Sequence, residues 1–284
     1  MTRHSIEKFD SISHQLICPI CHCPLIRQNT SFTCSQGHNF SIAAKGYTNF
    51  LPNQKSLLGY NHTFFSNRKL MMNSGLYDHV ATGIAEGLAI YYSSDKNRHR
   101  NITLLDAGCG DGFYARILNE IQNYTVIGLD VSKEAIYVAA SGGGNVMWLV
   151  GDVANIPLKK NSIDAVLNIF TPANYHEFMR ILKSDGLLIK VIPGTNHMHE
   201  LRHLLSKELP QENYSNNQVK KYFEKHFKIE KMLHTCKTLA LQPAQATSLL
   251  HMTPIMFNRD DSLIDISKLT HITIDAEILI GTRL

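Results

Sequence analysis

Apolar and polar positions change rhythm along this chain, and the changes mark out its elements. From residue 101 onward, short unbroken apolar runs alternate with segments whose apolar residues recur every three or four positions. The runs are Thr103–Asp106, Thr125–Asp130, Val146–Val150, Ile163–Ile169 and Leu187–Ile192. Helical spacing falls between them, at Phe113, Ile117, Leu118 and Ile121, over Lys133–Ala140 and over Tyr175–Leu182. Unbroken runs belong to strands buried on both faces, and the helices to crossovers, so the region predicts a parallel sheet covered on both sides. Met198–Glu208 and Asn217–His226 predict two further helices, and Asp185-Gly186 a turn. The late runs Ile229–Cys236 and Ile272–Ile280 predict a closing antiparallel hairpin, which makes seven strands.

Upstream, Leu76, Val80, Ile84 and Leu88 recur at intervals of four, the pattern of an amphipathic helix that packs on the sheet. The domain boundaries follow from these patterns. Residues 1–15 lack periodicity and read as an extension, and 16–52 form a small module. Residues 53–73 are polar and Asn-rich and read as a linker, and 74–284 form the sheet domain.

The first apolar run ends in Asp106, followed by Gly108, Gly110 and Gly112 at alternate positions. A strand, a tight glycine loop and a helix N-terminus together receive the polar tail of a ligand. A dinucleotide loop has a different spacing, G-x-G-x-x-G. The G-x-G-x-G here, with an acid before it, suits a ligand carrying an ammonium and a carboxylate, as S-adenosylmethionine does. Asp106 then reaches the ammonium, directly or through water, while loop amides face the carboxylate. Asp130 ends the second run, where an acid accepts both hydroxyls of a ribose. Asp152, after the third run, faces an adenine amino group. Three acids at three successive strand ends, with the glycine loop, predict a class I S-adenosylmethionine-dependent methyltransferase fold, Rossmann-like, with a mostly parallel seven-stranded sheet.

Four of the six cysteines crowd into the stretch from Cys18 to Cys34. Cys18, Cys21, Cys34 and His38 have the spacing C-x2-C-x12-C-x3-H, which places three thiolates and an imidazole around one structural zinc. A module this short needs the metal for its folding. Cys23 reads as a free or neighbouring thiol, and His22 as a surface residue. Phe32, Phe40, Tyr47 and Phe50 lie among basic and amide side chains. That pattern suits either stacking on unpaired bases or a small core around the zinc.

Charge separates the two parts. Residues 1–70 hold seven Lys/Arg against two acids, whereas residues 71–284 hold 21 against 22. A basic module beside a near-neutral domain points to a polyanion as partner. No apolar run reaches membrane-helix length and the N-terminus has no signal-peptide core, so a cytoplasmic protein without a membrane partner is expected.

The acceptor is narrowed by absences. Asn168-Ile169-Phe170-Thr171-Pro172 lacks the Asn/Asp-Pro-Pro-aromatic motif of exocyclic-amine methyltransferases, and no cysteine sits where carbon-5 pyrimidine chemistry needs one. A small-molecule (quinone-type) methyltransferase would share the fold but leave the ring and basic module unexplained. A non-catalytic RNA-binding protein with the same fold would be expected to have lost an acid or a glycine.

The full set of motifs resembles the bacterial 23S ribosomal RNA guanine-N1 methyltransferases. It runs through the Cys/His ring, Lys45-Gly46-Tyr47-x-Asn49-Phe50-Leu51, Arg68-x6-Gly75-x-Tyr77 and Asp106-x-Gly108-Cys109-Gly110-Asp111-Gly112. Gly128-Leu129-Asp130-Val131-Ser132-Lys133, Pro193-Gly194-x2-His197-x2-Glu200-Leu201 and Met252-Thr253-Pro254 complete it. The resemblance implies methylation of N1 of a guanosine in a hairpin loop of 23S rRNA, and one branch of the family confers resistance to tylosin-type macrolides. It implies that Cys18, Cys21, Cys34 and His38 bind zinc in a ribbon-like module that recognises RNA. Tyr77, Gly110, Asp111 and His197 would contact the cofactor, and a homodimer would clasp the RNA. The departures are the N-terminal extension, Cys23, and Phe113 where an aromatic pair often follows the loop glycine. The base that takes the guanine N1 proton is not identified; His197 is one option beside its cofactor role.

Overall fold

The computed structural model describes residues 6–51, 59–92, 101–121, 124–206 and 215–284. Short strands β1 (Leu25–Gln28), β2 (Ser31–Cys34) and β3 (Asn39–Ser41) form an antiparallel sheet, and β4 (Tyr47–Asn49) follows. Helices α1 (His62–Met72) and α2 (Asp78–Tyr92) lead into β5 (Thr103–Ala107), α3 (Phe113–Ile121), β6 (Thr125–Asp130), α4 (Lys133–Ser141) and β7 (Met147–Val150). Next come β8 (Ile163–Ile169), α5 (Tyr175–Ile181), β9 (Leu182–Pro193), α6 (His199–Leu204) and α7 (Asn217–Glu224). The chain closes with β10 (Phe227–Ala240), α8 (Pro243–Met252) and β11 (His271–Arg283).

The large sheet has the order β10-β11-β9-β8-β5-β6-β7-β4, parallel except for the β11 pairings with β9 and β10. Seven of its strands are those expected from the sequence. The eighth comes from the N-terminal module: β4 pairs in parallel with β7, Tyr47 opposite Trp148 and Asn49 opposite Val150. Strand order reverses at β5, which has β6 on one side and β8 on the other. A crevice opens at such a point beyond the carboxyl ends of the strands, and the glycine loop lies there.

The N-terminal residues are not a loose extension. Phe9, Ile12 and Leu16 are fully buried, and the backbones of Gln15 and Ile17 hydrogen-bond to Lys159 and Pro157. These side chains, with Phe32, Phe40 and Phe50, share one apolar cluster with Leu105, Ile127 and Leu149 of the sheet. Tyr47 is buried in the cluster on the opposite face. None of the four aromatics is therefore available for stacking on bases; they are core.

Residues 62–72, expected to be linker, form α1. Asn61 caps it by accepting from the Phe64 amide at 2.9 Å. Its buried residues Phe64, Phe65, Met71 and Met72 share one face, but Arg68 sits in the middle of that face and Leu70 is exposed on the other side, so the apolar pattern is weak. Strand β9 also runs through Asp185-Gly186, where a turn was expected, and α6 is shorter than the predicted Met198–Glu208, part of which lies outside the described residues.

Candidate cofactor and metal sites

A cavity of about 540 Å³ occupies the crevice, in the size range of ligand sites. Gly108 and Gly110 line it on one side, Asp130 and Asp152 along another, and Tyr77, Phe170 and His197 close it. At Gly108 φ is +82°, and a Cβ would come within 2.7 Å of the Thr171 side chain. The loop is thus pressed against the β8 exit, and only glycine fits.

Asp130 is held by two backbone amides. Its Oδ2 accepts from Gly110 N at 2.8 Å, and its Oδ1 accepts from Ser132 N at 2.8 Å. Each oxygen keeps a lone pair for a hydroxyl donor. Burial raises its pKa, and these two hydrogen bonds oppose the shift. Asp152 fixes its own turn by accepting from Ala154 N at 2.8 Å and reaches the cavity as well.

Asp106 lies behind the loop rather than on the cavity wall. It is 1% exposed, and Oδ2 has no hydrogen-bond partner among the described residues. Burial, and then the charges of Asp130 and Asp111, push its pKa up to about 7. A buried carboxyl with an orphaned oxygen is short of a cation or donor, and an ammonium would meet that need. The donor set therefore fits S-adenosylmethionine: hydroxyl acceptors at Asp130, an amino acceptor at Asp152, and an unsatisfied carboxyl at Asp106.

Two residues expected at the cofactor have other surroundings. Asp111 is fully buried; Arg68 Nε donates to its Oδ1 at 3.0 Å, and Arg116 Nη2 lies 3.8 Å from Oδ2. Gly112, with φ +78°, makes room for protein: a Cβ there would lie 2.3 Å from Cη2 of Trp148. Neither lines the cavity. Gly128 serves the same indole, with a Cβ position 2.3 Å from its Cζ3. Trp148, fully buried, is what half of this glycine motif approaches.

Arg68, singled out in the sequence only as part of a motif, is central in space. It lines the cavity from α1, and its Nε lies 3.5 Å from where a Gly110 Cβ would stand. Its charge faces Asp106, Asp111 and Asp130 together. Met252, Thr253 and Pro254, which offered no evident chemistry in the sequence, end α8 and line the cavity too.

Tyr77 is buried and lies edge-on to Phe170, with ring centroids 6.1 Å apart. His197 tilts against the other side of Phe170 at 5.3 Å. His197 Nδ1 donates to the Asp275 carbonyl at 2.9 Å, which leaves Nε2 as an acceptor, and burial lowers its pKa to about 4. The imidazole is neutral. Phe170 itself has φ +52°, a left-handed conformation that costs a bulky side chain about 1–3 kcal/mol.

In the N-terminal module, one ligand atom each from Cys18, Cys21, Cys34 and His38 lies within 4.8 Å of the others. Cys21 Sγ is 3.6 Å from Cys34 Sγ, and His38 Nδ1 is 3.5 Å and 3.4 Å from Cys18 and Cys34 Sγ. Sulfur atoms on a tetrahedron with Zn–S near 2.3 Å stand about 3.8 Å apart, so the tetrad fits zinc. Two turns build it, with His22 at φ 58° after the first cysteine pair and Gly37 at φ 82° inside the second. Cys23 is outside the tetrad.

Comparison with known proteins finds relatives of both parts of the chain. A zinc-ribbon family model described as "RlmA, N-terminal" matches residues 16–56, and one described as "Methyltransferase domain" matches residues 105–190. YxjB of Bacillus subtilis (strain 168), assigned by name as a 23S rRNA (guanine-N(1)-)-methyltransferase, is 32% identical over 94% of this chain and 96% of its own. The 23S rRNA (guanine(748)-N(1))-methyltransferase of Streptomyces fradiae is 31% identical over 67% of this chain and 68% of its own.

Proposed function

Because the chain belongs to the 23S rRNA (guanine-N1)-methyltransferase family, we propose that it methylates N1 of a guanosine in a hairpin loop of 23S rRNA. It is an S-adenosylmethionine-dependent enzyme of class I fold with a structural zinc. The observation that carries the reading is the cavity at the reversal of strand order, with Asp130 and Asp152 on its wall and the orphaned Asp106 oxygen behind it.

S-adenosylmethionine, when bound, supplies a sulfonium methyl. In this reading Asp130 holds the ribose hydroxyls, Asp152 the adenine amino group and Asp106 the methionine ammonium. Gly108 and Gly110 bring backbone to the amino-acid end, and Arg68 offsets the acids and faces the carboxylate. Tyr77, Phe170 and His197 exclude water where the sulfonium charge is lost, and neutral His197 adds no charge there. Most of the rate gain in such a transfer comes from holding donor and acceptor in line.

The zinc module and the excess of basic residues over residues 1–70 support a ribosomal RNA acceptor, and a quinone-type substrate would have no use for either. The test is primer extension on 23S rRNA incubated with the protein and S-adenosylmethionine. An N1-methyl group blocks base pairing, so a single new stop is expected; unchanged extension would rule the activity out.

A further inference from the structure

An open cleft of about 790 Å³ adjoins the cofactor cavity, and the two share Phe170, Thr171, Pro172 and Pro193. Its outer wall is α7, which contributes Lys221 and Tyr222, with Lys225 just past its C-terminal end. Three lysines line the cleft and no acid does. The Tyr222 ring is half exposed and rests 5.2 Å from the ring of buried Tyr175, tilted by 36°. A tyrosine backed in this way offers a stiff face for a base.

The third lysine is the unusual one. Lys190 is 5% exposed, and its Nζ donates to Asn168 Oδ1 at 2.6 Å and to the Thr171 carbonyl at 2.7 Å. These two acceptors flank Phe170, so the lysine clamps the strained β8 exit from both sides. An ammonium has three N–H donors, and the third has no acceptor among the described residues. No carboxylate pairs with this cation among them; burial alone lowers its pKa to about 8. A buried ammonium without a counter-charge is costly unless a ligand completes it.

We propose that this cleft receives the acceptor guanosine, with Lys190 donating its remaining N–H to guanine O6. The assignment rests on the ribosomal RNA reading above and locates its substrate. As N1 gives up its proton, negative charge spreads onto O6, and a cation there favours the nucleophilic form. The new N1–methyl bond forms as the donor's sulfur–methyl bond breaks. The N1 proton passes to water in the open cleft, and Lys190 keeps its own protons. Adenine presents an amino group where guanine has O6, so it meets the ammonium donor to donor. Lys221 and Lys225 take flanking phosphates, and Tyr222 stacks on a neighbouring base.

The test pairs a protein variant with a base analogue: Lys190→Met against a hairpin transcript whose target guanosine is replaced by 2-aminopurine riboside, which lacks O6. A hydrogen bond to a charged group accounts for about ten- to hundredfold in affinity, so loss of O6 should weaken wild-type binding by that factor. The Met variant should bind both RNAs alike. S-adenosylmethionine affinity, measured on the same samples, reports that the variant has folded. A second variant, Lys221→Glu with Lys225→Glu, should raise KM for RNA at least about tenfold and lower the salt dependence of binding. An unchanged KM and salt slope in the double variant overturns the rim contacts. If wild type makes 1-methylguanosine and Lys190→Met still discriminates O6 by the full ratio, the O6 assignment falls alone. If wild type makes none, the ribosomal RNA reading falls and takes this assignment with it.

Discussion

Arg68 Nε donates to Asp111 Oδ1 across 3.0 Å and so ties helix α1 to the glycine loop. Asp111 is fully buried, and its other basic neighbour, Arg116, stands farther off at 3.8 Å. Arg68→Met leaves a buried carboxylate short of its nearer partner. The loss of stability in urea titration should fall below the about 3–5 kcal/mol of a lone buried pair, because Arg116 remains. S-adenosylmethionine affinity by calorimetry should fall as well. Undiminished affinity would show that Arg68 supports the loop without facing the ligand.

In the proposed cofactor site, Asp106 should make binding depend on pH. Its carboxyl titrates near pH 7 in the free protein, above the unfolded value of 3.8. An ammonium partner lowers that pKa, so binding releases a proton. Affinity should therefore fall as pH drops below about 7, by at most tenfold per unit, and level off above it. The same group makes the free protein lose stability as pH rises between about 4 and about 7, because the folded state holds the extra proton over that window. Asp106→Asn should flatten both profiles. Profiles as steep as wild type in that variant would remove Asp106 from the account.

Gly112→Ala tests the part of the loop that serves protein rather than ligand. The new methyl group meets Trp148 Cη2 at 2.3 Å, and the backbone is left-handed there. Overpacking and the left-handed conformation together should cost about 2–5 kcal/mol. Thermal denaturation should show the loss with or without S-adenosylmethionine. A variant of unchanged Tm that binds cofactor poorly would instead make Gly112 a ligand contact.

Zinc removal should unfold more than the ribbon. The module's Phe32, Phe40 and Phe50 share a core with the sheet, β4 is its edge strand, and Phe50 N donates to Val150 O at 2.9 Å. Zinc contributes about 10–16 kcal/mol of apparent binding free energy in isolated fingers. Chelation should lower the Tm of the whole chain in one cooperative transition and weaken cofactor binding at Asp152, just beyond β7. A separate early transition that leaves the main one in place would mean that the two parts fold independently.

How much of this was legible follows from the kind of signal each residue carries. The alternating runs, the glycine loop, Asp130, Asp152 and the zinc tetrad depend on local spacing, and local spacing survives in a sequence. Helix α1 escaped because Arg68 sits in the middle of its buried face and Leu70 is exposed on the other, which blurs the apolar stripe. Arg68 and the Met252–Pro254 turn escaped with it, since their place at the cavity comes from long-range packing. Asp111 and Asp106 sit five residues apart in the same motif, yet only the fold shows that one is paired with arginines and the other keeps a carboxylate oxygen without a hydrogen-bond partner among the described residues. The aromatics of the module looked equally suited to RNA and to core. Burial decided for core and moved the candidate stacking face to Tyr222, far along the chain.

The central claim is the transfer of a methyl group to guanine N1 of 23S rRNA. Its most direct test is incubation of an unmethylated 23S hairpin transcript with the zinc-loaded protein and methyl-labelled S-adenosylmethionine, followed by digestion to nucleosides and mass spectrometry. The label should be found in 1-methylguanosine alone. Label in any other nucleoside, or none in the RNA, would contradict the account.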